Sequence, residues 1–269
     1  MSNIVSANAL LHFTKSIDNI VNIISNGFYP KCCLENLEFI HDLGAWNSSP
    51  LNIAIPMVCF CDIPLSQTGT HKRNYGGYAI GLSKEWGEKN GINPVLYELP
   101  NSNAVNIIKE CLSNTLSYPP EQNLQNPKSV KKINEIGSEI LFFLCYLKPY
   151  EGRKWDGNGF NGERIKFYDE REWRYVPDYI KIRQKSLKPY MLVDDFLNVN
   201  KREAFNKSLE NDFKLEFAPS DIKYIIVGNE SDVLHMADNI SQINLNCSDN
   251  DKKLLITKII SMERIQQDF

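Results

Sequence analysis

The sequence has no long hydrophobic run and no strong excess of charge. No apolar stretch approaches the roughly 20 residues that a membrane-spanning helix needs, and the first residues, MSNIVSANALLHF, lack the basic start and long apolar core of a secretory signal. Lys and Arg total 30 against 33 Asp and Glu, the net charge is −3 and the pI is about 5.9. This balance does not mark the whole chain as a nucleic-acid or membrane binder. We expect a soluble, cytoplasmic protein without a membrane partner.

The sequence also lacks the spacings of several common sites. It contains no recognisable Ser-His-Asp, Walker or HExxH pattern, no internal repeat and no low-complexity segment. The seven cysteines lie mostly in apolar surroundings, which favours reduced, buried thiols over a disulfide framework. Cys59 and Cys61 are spaced C-x-C and Cys32 and Cys33 are adjacent, whereas a zinc site needs two wider pairs. We therefore expect no metal ion.

What is present predicts a single α+β domain over residues 1–269. A chain of this length with 42% hydrophobic residues can bury one sizeable core. Strand-like and helix-like patterns alternate along most of the sequence, and we expect them to form a core of about residues 8–100 and 155–262. Two helical patterns between these parts predict an insertion of about residues 101–150.

The first and last parts of the chain carry the clearest local signals. Residues 10–14 predict a strand, and Ser16 is a suitable N-cap for a helix that ends at Gly27. Residues 31–56 contain breakers and predict irregular structure, whereas residues 222–227, apolar apart from Lys223 and Tyr224, predict a strand.

The helical insertion and the late strands are predicted from periodicity. Residues 101–117 and 130–147 have helical patterns, and Pro149 ends the second. Residues 165–168 and 173–176 read as strand pieces separated by charged side chains.

The most informative stretch is residues 57–86. An apolar strand, residues 57–61, is followed by a polar loop and by a second strand, residues 78–82. Loops held by a rigid scaffold often carry function, and we place a candidate site here. Its notable side chains are His71, Lys72, Arg73, Tyr75 and Tyr78.

His12, Tyr75 or Tyr78, and Glu172 form a residue set suited to cleaving the nicotinamide–ribose bond of NAD. Nicotinamide leaves as a neutral molecule through an oxocarbenium-like transition state, which a carboxylate such as Glu172 can stabilise. A tyrosine ring can stack on nicotinamide, and His12 can hold a ribose by donating from one nitrogen and accepting at the other.

Each of these residues also has a purely structural interpretation. His12 has apolar neighbours and suits a satisfied core histidine, and the tyrosines suit packing with one hydrogen bond each. The charged run that includes Glu172 suits a cross-strand ladder, in which Arg174 pairs with a carboxylate or binds a phosphate. His71, Lys72 and Arg73 could contact a pyrophosphate or a nucleic-acid backbone, or be solvated.

Several stretches resemble the AbiGi family of bacterial abortive-infection proteins. They are LLHFT, MVCFCDIPLS, the H-x3-YG-x-Y segment, GLSKEW and REWRY, and the resemblance covers nearly the whole chain. That family is commonly described as the antitoxin partner of a nucleotidyltransferase-like toxin. A weaker resemblance is to ADP-ribosyltransferases, whose opening strand carries H-x-T before a helix ending in Gly and an aromatic or apolar residue. His12, Thr14, Gly27 and Phe28 match that opening.

The second resemblance implies an ADP-ribosyltransferase-like split, mixed or antiparallel sheet with helical insertions. It also implies that His12 holds the NAD ribose, that Tyr75 or Tyr78 packs on nicotinamide and that Glu172 is the catalytic glutamate. Glu163 and Glu170 compete for that last role.

Three interpretations of function follow. The first is an anti-phage ADP-ribosyltransferase that uses NAD as substrate and a protein or nucleic acid as acceptor. The second is a non-enzymatic antitoxin or regulator that restrains a toxin. The third, a hydrolase or nuclease using His12, Asp62 and His71, has the least support because no metal-ligand spacing is visible. An enzyme of the first kind needs His12, a tyrosine and Glu172 in one cleft, with the carboxylate outside a buried ion pair.

Overall fold

The computed structural model describes residues 7–40, 52–116, 127–243 and 247–268. They form a mixed α+β fold with a mostly antiparallel sheet, which confirms the predicted α+β class. Its strands are β1 (Ala9–Thr14), β2 (Lys31–Asn36), β3 (Asn52–Cys61), β4 (Tyr78–Ser83), β5 (Asn93–Pro94), β6 (Leu96–Glu98), β7 (Leu147–Pro149), β8 (Gly152–Arg153), β9 (Arg164–Ile165), β10 (Glu172–Tyr175), β11 (Met191–Leu192), β12 (Ile222–Val227) and β13 (Ile259–Ser261).

The helices surround this sheet. They are α1 (Ile17–Asn26), α2 (Gly69–Tyr75), α3 (Lys84–Lys89), α4 (Asn103–Leu116), α5 (Pro127–Phe143), α6 (Tyr179–Gln184), α7 (Val193–Leu197), α8 (Val199–Leu209), α9 (Ser231–Gln242), α10 (Asp249–Ile256) and α11 (Met262–Asp268). Within the described ranges, none of these helices combines the length and the apolar character needed to cross a bilayer.

The main sheet has the strand order β13-β12-β4-β1-β3-β10-β5, with β2 and β11 also paired to β3. Its pairs are antiparallel apart from the parallel pair of β12 with β13. The long strand β3 therefore pairs with β1 at Cys61 and with β2 over Asn52–Met57. β1 and β3 separate where β2 becomes the partner of β3.

The first strand and helix form as the sequence predicts. The Ser16 hydroxyl accepts a hydrogen bond from the Asn19 backbone N–H, and Gly27, with φ of 77°, ends α1. An added Cβ at Gly27 would lie 2.5 Å from the Leu215 carbonyl oxygen, so this end of the helix requires glycine. On α1, Ile20 and Ile24 are buried and belong to the largest hydrophobic core cluster.

Two cores cover the two faces of the central strands. Leu10 and Ile80 belong to the cluster that includes residues of α1, α9 and α10. Leu11 and Ala79, their sequence neighbours, point to the other face and pack with α11 residues such as Met262. A third cluster joins the helices α4 and α5 to β2 and β3.

The expectation of irregular structure over residues 31–56 is wrong for the described part. Residues 31–36 form β2 and residues 52–56 begin β3, and the two strands pair at six positions. The local sequence signal is weak, and the long-range ladder supplies the stability. Residues 41–51 lie outside the described residues.

The polar segment after β3 contains helix rather than loop alone. After a 3-10 turn at Leu65–Gln67, α2 runs to Tyr75, and Gly76 ends it with φ of 115°. The stretch 70–75 contains neither Gly nor Pro, so a short helix is allowed there. The predicted strands on both sides, now β3 and β4, are confirmed.

The predicted helices 101–117 and 130–147 correspond to α4 and α5, but α5 ends earlier. After Phe143 the chain forms a 3-10 turn and then β7, which pairs with β6. Residues 165–168, predicted as a strand piece, are divided between β9 and a 3-10 turn at Phe167–Glu170. The division of the chain into core and insertion stays a prediction.

Candidate functional site

The candidate site is a cavity of about 500 Å³ beside the point where β1 and β3 separate. β1 pairs with β4 along its whole length but meets β3 at one registered position, Leu11 with Cys61. Beyond that position β3 pairs with β2 instead. Side chains from β1, β3, α2 and β10 line the resulting space.

Most of the residues predicted from sequence meet in this cavity. His12 and Thr14 from β1, His71 and Tyr75 from α2, and Glu172 from β10 all line it. Thr14 Oγ1 also accepts a hydrogen bond of 2.7 Å from the Asn19 side chain.

Three candidates lie elsewhere. Tyr78 is the first residue of β4, and its hydroxyl donates to Oδ2 of Asp232 on α9 at 2.9 Å. Arg73 is exposed on α2, and Glu163 is exposed on the turn before β9. None of these three lines the cavity, so Tyr75 rather than Tyr78 is the tyrosine beside His12 and Glu172.

His12 is held by one ring nitrogen. Its Nδ1 lies 2.8 Å from the Cys59 carbonyl oxygen, and its ring packs against Phe28 and Phe60 at centroid distances of 5.1 and 5.7 Å. Burial lowers the pKa of His12, although the hydrogen bond to Cys59 opposes this. A carbonyl oxygen only accepts, so Nδ1 carries the proton of the neutral ring and Nε2 is left as an acceptor.

Glu172 is buried in ion pairs. Its Oε1 accepts from Arg174 Nε at 2.5 Å, and its Oε2 accepts from Lys148 Nζ at 2.7 Å. Burial alone would raise the pKa of Glu172, but Arg174 and Lys148 hold it well below its ordinary value. The condition that the carboxylate lie outside a buried ion pair is therefore not met, although the carboxylate is fully ionised.

Arg174 connects this carboxylate to a second one. Its side chain is fully buried, and its guanidinium donates to Glu35 Oε2 at 2.9 Å and to the Cys145 carbonyl at 3.0 Å. Burial opposes its charge, but Glu172 and Glu35 hold the pKa of Arg174 well above its ordinary value.

Glu170 and Tyr75 extend the network toward α2. Glu170 is buried, and its Oε2 accepts from Lys148 Nζ at 2.8 Å. Its Oε1 accepts a short hydrogen bond of 2.5 Å from the Tyr75 hydroxyl. Burial, with the neighbouring Glu170, raises the pKa of Tyr75 far above its ordinary value, so Tyr75 stays a donor.

The buried network carries more acid than base. Three carboxylates, from Glu35, Glu170 and Glu172, share two cations, Lys148 and Arg174. With all five ionised, one negative charge is left over beside the cavity. In a low-dielectric site such a charge favours a cation, including one that develops during a reaction.

Sequence reasoning missed Lys148 and Glu35. Lys148 stands in the apolar run LCYLKPY, and a lone lysine in such a run signals a buried ion pair. Glu35 gives no such signal, because only the pairing of β2 with β3 brings it to Arg174.

The pairing of Glu172 predicts how stability depends on pH. A carboxylate with a lowered pKa in the folded state stabilises the fold fully above about pH 5 and loses this contribution as the pH falls below about 4. We expect the difference in melting temperature between the wild type and Glu172→Gln to shrink as the pH is lowered from 7 to 3. Thermal melts across that range measure it. A difference that stays constant would contradict the ion pairing of Glu172.

Comparisons with known proteins identify the family. The family model for AbiGi, described as an abortive phage resistance protein and antitoxin, matches residues 26–228. The abortive phage resistance protein AbiGi of Lactococcus lactis subsp. cremoris is 32% identical over 260 residues, which covers 90% of this chain and 99% of that protein. The chain belongs to the AbiGi family. No solved structure gives a significant match.

The residues matched by the AbiGi family include most, but not all, of the residues that line the cavity. Residues 26–228 include the five charged groups of the network as well as His71 and Tyr75. His12 and Thr14 precede the matched range and lie on β1. The full-length similarity to the lactococcal AbiGi protein extends the relationship over 90% of this chain.

Proposed function

We propose that this AbiGi-family chain acts in phage defence as an ADP-ribosyltransferase that uses NAD as substrate. The observation that supports the proposal is the meeting of His12, Tyr75 and Glu172, from three separated parts of the chain, in one cavity. The proposal includes an ADP-ribosyltransferase-like organisation of the sheet, with His12 on its opening strand and Glu172 on a late one. The acceptor is a protein or a nucleic acid.

The chemistry assigned to these residues needs no general acid for the leaving group. The glycosidic bond breaks with its electron pair moving to the nicotinamide nitrogen, which becomes neutral. A nucleophilic atom of the acceptor then bonds to the ribose carbon and loses its proton to solvent water. Glu172 is ion-paired with Lys148 and Arg174, so in this proposal it acts through the one excess negative charge of its network, which stabilises the oxocarbenium-like sugar. His12 Nε2 accepts from a ribose hydroxyl, and the Tyr75 ring packs on nicotinamide.

Replacing His12 by alanine tests the binding part of the proposal. The change removes the acceptor Nε2, and we expect the Kd for NAD to rise about tenfold, which corresponds to the loss of one hydrogen bond of about 1.4 kcal/mol. Titration calorimetry with wild type and His12→Ala measures the effect, and thermal melts check that both proteins are folded.

The matched control is His235→Ala, because His235 is exposed on α9. Its Kd for NAD should equal that of the wild type. If NAD affinity is unchanged in His12→Ala, or if that variant fails to fold, His12 is a structural core histidine and does not bind NAD.

A second candidate is a non-enzymatic antitoxin that restrains a nucleotidyltransferase-like toxin. The ion pairs of Glu172 favour it, because both carboxylate oxygens already accept hydrogen bonds from buried cations. The antitoxin description of the family model supports the same candidate.

Growth rescue separates the two candidates. The chain is expressed together with a toxin of that class, and growth is compared for wild type and Glu172→Gln. A catalytic mechanism predicts rescue by the wild type alone. Equal rescue by both proteins, together with their co-purification with the toxin, would support the binding mechanism.

A further inference from the structure

A second cavity, of about 960 Å³, lies between α5, α6, β11 and the helices α7 and α8. Among the described residues, its lining and that of the candidate site have no member in common. Cavities of this size with largely apolar walls are typical of small-molecule sites, and apolar walls in contact with water are unfavourable. The side chains that give this lining its apolar character include Leu141, Phe142, Ile182, Leu187, Met191 and Phe205.

The charged residues of this lining carry more base than acid. Its two carboxylates are already paired, Glu135 with Arg183 at 3.3 Å and Asp195 with Lys201 at 2.5 Å. Four cations against two carboxylates leave two positive charges. The cations of the lining are Lys131, Arg183, Lys188 and Lys201.

Lys131 and Lys188 account for this surplus. In the part of the chain that the structure describes, neither has a carboxylate within ion-pair distance. Lys201 and, to a smaller extent, Lys188 lower the pKa of Asp195, so two cations act on one carboxylate. The sequence adds to the imbalance, because residues 179–193 contain four cations and no acid. The sign of the surplus is opposite to that in the candidate site, and it favours an anion.

The walls indicate the shape of the uncharged part of the ligand. The rings of Phe142 and Tyr179 pack on each other at 5.2 Å and are inclined by 36°, so they form no parallel slot for a flat ring. Aliphatic side chains such as Leu141, Ile182 and Leu187 supply much of the remaining lining. Walls of this kind suit a flexible hydrocarbon chain, which gains by leaving water wherever it meets apolar surface.

We propose that this second cavity binds a free amphipathic anion, a hydrocarbon chain with one negatively charged head, as in a fatty-acid carboxylate. The chain lies against the apolar walls, and the head lies near Lys131 and Lys188. The assignment does not rest on the proposed function, because its readout is binding in the absence of NAD.

Two probes with chains of the same length and opposite charge test the selectivity. Dodecanoate is an anion at pH 7.5, and dodecyltrimethylammonium is a cation. In calorimetry at low salt, below the micelle concentration of each probe, we expect dodecanoate to bind roughly fivefold more tightly or better, and the difference to shrink at about 0.5 M NaCl. Equal binding of the two probes, or no binding of dodecanoate, would overturn the proposal.

Ser138→Trp tests whether dodecanoate binds in this cavity. Ser138 lines it from α5, and its hydroxyl donates to the Asn134 carbonyl at 2.8 Å. An indole placed there displaces at least two methylene groups of the chain, so dodecanoate affinity should fall by about tenfold or more.

The matched control is Ser241→Trp. Ser241 is exposed on α9, outside this lining, and its hydroxyl likewise donates to a carbonyl four residues earlier, that of Ala237, at 2.9 Å. Its dodecanoate affinity should equal that of the wild type, and thermal melts check that both variants are folded. Unchanged affinity in a folded Ser138→Trp, or an equal loss in both variants, would place the dodecanoate elsewhere and overturn the proposal.

Lys188→Glu tests the charge without changing the apolar walls. Lys188 is exposed, so the variant should fold, and we expect dodecanoate affinity to fall about three- to fivefold, the size expected of an exposed charge. Lys223→Glu makes the same change of charge at an exposed position on β12 outside this lining and should bind like the wild type. Equal affinity in Lys188→Glu and Lys223→Glu would contradict the assignment of the head to the cations of this cavity.

Discussion

Arg174→Leu is expected to lower the free energy of unfolding by about 3–5 kcal/mol, because it leaves buried carboxylates without their partner. Arg174 has no exposed side-chain surface and is bonded to both Glu172 and Glu35. Lys148 would then be the remaining cation for three carboxylates. Urea unfolding at pH 7 measures the change.

Arg183→Leu is the matched control for this substitution. Arg183 pairs with Glu135 at 3.3 Å, but its side chain is 55% exposed. Exposed ion pairs contribute about 0–1 kcal/mol, so this variant should unfold almost like the wild type. If the two variants lost the same free energy, the buried network would not be the stabilising element described above.

If Glu172 acts as proposed, Glu172→Gln is expected to reduce the release of nicotinamide from NAD by on the order of 100-fold or more, because it removes the charge proposed to meet the developing sugar cation. The substitution keeps the shape of the side chain, so NAD binding should change far less than turnover. Chromatographic assay of free nicotinamide measures turnover, and calorimetry measures binding in the same samples.

Glu163→Gln is the control. The sequence offers Glu163 as an alternative catalytic glutamate, but this residue is exposed and does not line the cavity. It should release nicotinamide at the wild-type rate. If Glu172→Gln kept its activity and Glu170→Gln lost it, the role would belong to Glu170, which lies in the same network. Full activity in both would remove the buried carboxylates from the mechanism.

Local sequence patterns predict those strands and helices whose own residues mark where they begin and end. An apolar run marks the strand Ala9–Thr14, and an N-cap serine and a terminal glycine mark the helix after it. The structure contains the strand, the serine cap and the glycine end as predicted. β2 and the early part of β3 have no such marks, because their stability comes from pairing with each other. The predicted extent of α5 is wrong for a related reason. Its apolar end continues into β7, whose strand conformation depends on β6.

The sequence predicts several residues of the candidate site but not the ion pairs that connect them. His12, Tyr75 and Glu172 could be picked as residue types that one reaction requires, and they do line one cavity. The choice between Tyr75 and Tyr78 depended on where α2 ends, since Gly76 separates a helix from a strand. The ion pairs of Lys148 and Glu35 join residues that are 24 and 139 positions from their partners, and no local pattern encodes such contacts.

NAD cleavage is tested most directly by incubating the purified chain with NAD and measuring free nicotinamide over time. We expect the wild type to release nicotinamide and Glu172→Gln, prepared in the same way, not to release it. Absence of turnover in the wild type, with candidate acceptors and a toxin partner present, would contradict NAD cleavage and favour the antitoxin candidate.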